Sequence, residues 1–202
     1  MMKAQKLALF GILTAVLILM AFTPLGYLDL GLVAITFLMI PVVIGAAAYG
    51  PLFGAGLGLV FGLTSLIRII AGSGGLLTQL FLINPWFMGI NAIVPRVLFG
   101  FVTGCLYRAL SKTKLKPILC DTLTMLLGTV FHTVIFMTFL MLMFGSTENI
   151  QNFGEGFFAI VWAMVGVNAI VEWIVCATIG AAVLNGARYF IKRIRAQKKT
   201  QS

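Results

Sequence analysis

Acidic residues are scarce in this chain: five Asp and Glu stand against 14 Lys and Arg in 202 residues, and there is a single histidine. Charged residues make up only 9% of the sequence and hydrophobic ones 61%, so too few polar side chains exist to cover the outside of a soluble domain. The net charge of +9 therefore does not describe a nucleic-acid-binding surface, because no soluble domain is present to display one. Three cysteines, Cys105, Cys120 and Cys176, occur without a CxxC spacing, which excludes a disulfide scaffold and a dithiol redox motif. His132 has no neighbouring pair of Cys or carboxylates, so no metal first shell is indicated. No Gly-Lys dipeptide occurs, hence no Walker-type phosphate loop and no ATP hydrolysis by that route.

What is present is apolar sequence in long runs, with a mean hydropathy of +1.10. Six stretches, at 7–22, 32–49, 51–70, 86–110, 118–144 and 157–191, approach or exceed the roughly 20 residues that a helix needs to cross a bilayer. The expectation is an all-α integral membrane protein, residues 1–202 forming one six-helix domain. Lys3 and Lys6 before the first run resemble a signal peptide, but no small-x-small cleavage site follows and five more spans do, so it is kept as a helix. With six spans, the two ends and the loops after spans 2 and 4 share one side. That side carries twelve basic residues: Lys3, Lys6, Arg108, Lys112, Lys114, Lys116, Arg188, Lys192, Arg193, Arg195, Lys198 and Lys199. The other side has Asp29, Glu148 and Glu155, with Arg68 near it. The positive-inside rule then predicts cytoplasmic termini, with contact to anionic lipid as a second consequence of the charge.

Glycine recurs every fourth residue, at 50, 54, 58 and 62, in the third run. In lipid such spacing lets another helix backbone approach closely. It predicts the packed centre of a bundle, or alternatively a face along which a neighbour slides. A second stripe of small residues, Ala4, Ala8, Gly11 and Ala15, shares one face of the first helix and suits internal packing or a partner protein.

Polar groups inside the spans are costly, about 2.5–3.5 kcal/mol for a charge at mid-bilayer, and usually face the bundle interior or a wet cavity. They are Asn91 and Arg96 in span 4, His132 in span 5, and Asn168 with Glu172 in span 6. Arg96 and Asn168 lie about 15 Å below the outer ends at 1.5 Å per residue, so these groups can meet. Two readings stand side by side. In one, Arg96 and Glu172 form a structural ion pair with Asn168 beside it. In the other, Arg96, His132 and Asn168 line an outward-facing cavity that holds a polar or anionic ligand. Asn91 and Arg96 are about 140° apart around an ideal helix, a mismatch that a bend at Pro95 can relieve. Asp121, Thr124, Gly128 and His132 recur at helical spacing, which leaves open a proton path, and the alternative function is a stand-alone secondary transporter that uses the Glu172 and His132 region for proton coupling. An intramembrane serine protease is disfavoured. Ser65 in "FGLTSLI" is followed by Leu66, so the Gly-x-Ser-Gly sequence of rhomboid proteases is missing.

The longer loops, 23–31, 71–86 and 145–156, fall on the outer side and are candidate lids over a binding site. Within and between them, "PLGYLDLG", "IPVVIGAAAYGPLFGAGLGLVFGLTSLI", "NPW" and "PRVLFGFVTGCLYR" occur in order. Over about residues 7–189 the chain resembles the substrate-binding S components of energy-coupling-factor (ECF) vitamin transporters, most closely the pantothenate, riboflavin and folate group. The resemblance implies a high-affinity vitamin-binding subunit in a prokaryotic cytoplasmic membrane, with pantothenate favoured and cobalamin among the other possible ligands. It implies as partners a transmembrane coupling subunit and two ATPase subunits, which would hold ATP and Mg, with no cofactor and no catalytic residue in this chain. It places the partner interface on Ala4, Ala8, Gly11 and Ala15, matching an Ala-x-x-x-Ala pattern with one glycine substituted. The candidate substrate-binding set is Asn84, Asn91, Arg96, His132 and Asn168, with Arg68 as an alternative anion partner.

Overall fold

The computed structural model describes residues 2–24, 26–28, 35–152 and 157–187. The order is α1 (Met2–Ala21), β1 (Tyr27–Leu28), β2 (Ile35–Thr36), α2 (Met39–Tyr49), α3 (Pro51–Ile70), α4 (Leu76–Ile83), α5 (Pro85–Leu110), α6 (Pro117–Phe144), α7 (Glu148–Gln151) and α8 (Phe157–Val175). A π-helical turn, Cys176–Gly180, continues α8, and the chain stays helical to residue 187. Five helices among the described residues are long and apolar enough to cross a membrane. The basic tail from Arg188 onward, together with Asp29 and Glu155, lies outside the described residues.

The second expected span is corrected. Instead of a helix over 32–49, the helix begins at Met39, and its 11 residues rise about 16 Å, roughly half of a hydrocarbon core. Pro41 explains the boundary. With Met39 as the first helical residue, Pro41 falls in the first turn, where an N–H has no helical acceptor anyway. Starting seven residues earlier would place it in the interior, at a cost of about 3 kcal/mol. Residues 32–34 lie outside the described part. Ile35 and Thr36 are β-branched and instead pair antiparallel with β1, after α1, in the register Tyr27↔Thr36 and Leu28↔Ile35. The loop expected over 71–86 also contains structure: α4, whose Leu76, Leu77 and Leu80 are buried.

The glycine ladder is the seam between α3 and α5. A Cβ at Gly54 would strike the carbonyl oxygen of Gly100, and one at Gly100 would strike that of Gly54. One at Gly58 would strike the Arg96 carbonyl, and one at Gly62 would come within 2.9 Å of Ile93 Cα. The fourth rung differs: Gly50, at φ +95°, makes the turn into Pro51, and the Arg108 guanidinium occupies the space beside it. Backbone therefore lies on backbone at Gly54, Gly58 and Gly62, the close approach that small residues permit where water supplies no hydrophobic drive.

Two apolar cores result. One joins Leu13 and Leu17 of α1 with Val42, Leu57, Phe61, Phe99, Met125 and Leu184. The other gathers Ile69, Leu80, Met88, Phe136, Leu140 and Phe144. Along α3, α5 and α6 alike, buried polar residues fall in or beside the sequence interval between the two, while Thr103, Asp121 and Thr124 are buried beyond it. Within or beside it lie Thr64 and Ser65 on α3, Asn91 and Arg96 on α5, and His132 on α6.

Candidate functional site

The belt between the cores is built around Arg96. Its carbonyl is held against Gly58, and its side chain turns back along its own helix, where Nη1 donates to the backbone oxygen of Asn91 at 3.0 Å. The guanidinium carbon lies 5.3 Å from the centroid of Phe61 and 4.9 Å from that of Phe136. Such cation–π contacts stabilise a desolvated cation by about 2 kcal/mol. His132 uses the same two rings, stacked at 6.0 Å on Phe61 and 6.1 Å on Phe136, and meets Phe99 edge-on at 5.3 Å. A cation and an imidazole thus share one aromatic enclosure contributed by α3, α5 and α6.

Within this enclosure polar capacity exceeds what the chain uses. Arg96 and His132 are each 5% exposed and Asn91 is fully buried. Yet Arg96 Nε, His132 Nε2 and both side-chain atoms of Asn91 have no hydrogen-bond partner among the described residues. A buried polar group left without a partner costs about 1–3 kcal/mol, so four such atoms together are a substantial debt for a merely structural core.

The loop between α1 and α2 is tied to the same belt. Tyr27 of β1 shares a 2.9 Å hydrogen bond with Ser65 of α3, and the Arg68 guanidinium lies 3.8 Å from the Tyr27 ring centroid. Thr36 of β2 donates its N–H to Glu172 Oε1 of α8 at 2.5 Å. Tyr27 and Glu172 both lie within electrostatic reach of the Arg96 guanidinium. The short strand pairing therefore closes against α3 on one strand and α8 on the other.

Of the expected site residues, the structure brings Asn91, Arg96 and His132 together. Asn84 caps α5 instead, its Oδ1 accepting from Phe87 N at 3.1 Å, about 18 Å along the helix from Arg96. The backbone of Asn168 belongs to α8, but its side chain lies outside the described part. Among the described residues Arg96 and Glu172 make no direct salt bridge: each group takes a backbone partner. Arg68 spends its charge on the Tyr27 ring and on the Ser73 carbonyl, which its Nη2 meets at 3.3 Å. Ser65 bonds Tyr27 and not His132, leaving no nucleophile–base pair there. Asp121, Thr124, Gly128 and His132 all face inward. Beside Gly128 a Cβ would meet Thr103 Oγ1 at 2.9 Å and then the Phe99 ring, which also abuts His132 edge-on. Phe61, Phe99 and Phe136 were not anticipated. The one local signal was the four-residue spacing of His132 and Phe136, which places their rings on one helical face.

Ala4, Ala8, Gly11 and Ala15 are all exposed on α1, whose buried face is Leu13, Leu17 and Ala21. The small-residue stripe thus points away from the bundle, and a Cβ at Gly11 would meet nothing within 4 Å.

The family model described as ECF transporter, substrate-specific component, matches residues 5–184. No curated protein matches the chain.

Proposed function

The chain belongs to the ECF transporter substrate-specific components, and from that premise we propose that it is the high-affinity vitamin-binding subunit of an ATP-driven uptake transporter, with pantothenate the favoured ligand. Membership in the family implies a small-molecule substrate and an ECF module of coupling and ATPase partners. The observation that carries the ligand class is the buried Arg96 guanidinium, enclosed by Phe61 and Phe136 beside the unpartnered Asn91 amide and His132 nitrogen. A carboxylate accepts charge-assisted hydrogen bonds from a guanidinium, and a neighbouring amide or hydroxyl on the same ligand suits Asn91 and His132. Pantothenate has all of these groups. Riboflavin, folate and cobalamin remain the other candidates.

In this reading six helices span a prokaryotic cytoplasmic membrane with both termini inside, α2 being the short member. The exposed stripe Ala4, Ala8, Gly11 and Ala15 meets the coupling subunit. ATP and Mg act on the two separate ATPase chains, and this chain needs no cofactor of its own. The alternative, a stand-alone proton-coupled transporter, rests on the Glu172 and His132 region and has the inward polar stripe of α6 in its favour.

Binding to the detergent-purified protein tests the reading, by thermal shift and then calorimetry, with pantothenate, riboflavin, folate, cobalamin, biotin, niacin and thiamine. A ligand that binds only the folded state stabilises it by about 4 kcal/mol at a thousand times its Kd. The expected result is one tight, single-site hit on pantothenate. Folded protein that binds none of the seven would overturn the vitamin assignment.

A further inference from the structure

In an uninterrupted α-helix the carbonyl of residue 91 accepts the amide of residue 95. Here residue 95 is proline, inside α5, and has no N–H to give. The Asn91 carbonyl is therefore released from the helical ladder in the middle of a buried span, where a backbone acceptor without a partner is costly. Proline's ring also crowds the carbonyl four residues back and turns it out from the ladder. The group that takes this oxygen is the side chain of the very next residue, Arg96, through Nη1 at 3.0 Å.

We propose that Pro95 is the positioning residue of the binding site: by removing one backbone donor it assigns the Asn91 carbonyl to the Arg96 guanidinium and so sets where the guanidinium points. Two constraints then hold Arg96. Its main chain is pressed on Gly58, and its side chain is anchored at Nη1, with the guanidinium carbon beside Phe61 and Phe136 and Nε left without a partner among the described residues. The mismatch of about 140° between residues 91 and 96 resolves in the same way, because the long arginine reaches the backbone of Asn91 and not its side chain.

A double-mutant cycle on stability in detergent tests the inference without any ligand. Pro95→Ala restores an N–H that competes with Nη1 for the Asn91 oxygen. Arg96→Met removes the guanidinium, and Arg96→Leu, which likewise carries no donor, serves as a second background should the methionine variant fold poorly. Pro95→Ala should raise the folded-to-unfolded ratio about tenfold more in the Arg96→Met background than beside Arg96, because only there does the restored amide satisfy an otherwise orphaned acceptor. Equal effects in both backgrounds overturn the inference.

A second arm rests on the proposed ligand and uses pantothenate as probe. Pro95→Ala should be more stable than wild type yet bind pantothenate at least tenfold more weakly, a split that a purely structural proline would not produce. Gly89→Ala, on the same helix in open space, should bind as wild type does. Unchanged pantothenate affinity in a stabilised Pro95→Ala variant also overturns the inference. A wild-type protein that does not bind pantothenate sinks the ligand assignment alone, and the stability cycle then decides the role of Pro95.

Discussion

Gly54 and Gly100 face each other across the α3–α5 seam so closely that a methyl group on either meets the other's carbonyl oxygen. Alanine at one of them must push the helices apart, because backbone cannot swing aside as a side chain can. Forcing an added methyl into a packed contact costs about 1–3 kcal/mol, and a backbone obstacle belongs in the upper half of that range. Alanine recovers up to about 1 kcal/mol of helix propensity, less in lipid, where glycine is penalised less than in water. Each single substitution should therefore destabilise the protein by about 1–2 kcal/mol. The double variant should cost less than the sum by about 0.5 kcal/mol or more, since a seam opened for one methyl accommodates the other. Equilibrium unfolding in mixed micelles reads all three, with Gly89→Ala as the reference that meets nothing within 4 Å. Strict additivity, or single variants no worse than Gly89→Ala, would refute the account of the seam.

Arg96→Gln should weaken pantothenate binding at least tenfold, by loss of a charge-assisted pair, while leaving folded yield intact, as calorimetry and size-exclusion profiles would register. Loss of folded protein would mean that Arg96 is chiefly structural. Tyr27→Phe removes the hydroxyl shared with Ser65 and should cost about 0.5–1.5 kcal/mol. Its dissociation rate for ligand should rise, and an unchanged rate would deny the strand pairing any closing role. Gly11→Leu lies on the exposed stripe of α1. It should leave binding in detergent as it is but impair uptake in cells, whereas normal uptake at normal expression would move the partner surface elsewhere.

Much of the architecture was legible because a bilayer demands long apolar runs, and α3, α5 and α6 end at Ile70, Leu110 and Phe144 as their composition predicts. Hydropathy alone extends α2 back to residue 32, whereas Pro41 marks its start at Met39. Helix α4 was hidden because "LLTQLFLI" follows a run rich in glycine. Asn91, Arg96 and His132 stood out as polar groups in apolar surroundings. Phe61, Phe99 and Phe136 did not, since in a chain with 17 phenylalanines any of them passes for a lipid-facing residue. The bonds from Tyr27 to Ser65 and from Thr36 to Glu172 join residues 38 and 136 positions apart, which no local periodicity encodes.

The division of the apolar interior into two clusters has a consequence for cooperativity. Side chains that interlock melt together, and a layer poor in such contacts is where a fold comes apart in stages. The cluster made of Ile69 of α3, α4 and the adjoining ends of α5 and α6 is joined to the one around Leu57 and Phe99 through the Phe61 and Phe136 rings on His132, and we expect it to open first. A small molecule seated in the belt would weld the two into a single cooperative unit. Amide hydrogen exchange would then show slow protection spreading from Leu57 and Phe99 outward to Leu80 and Leu140 when the site fills, so that occupancy is read as loss of independent motion across the whole height of the bundle.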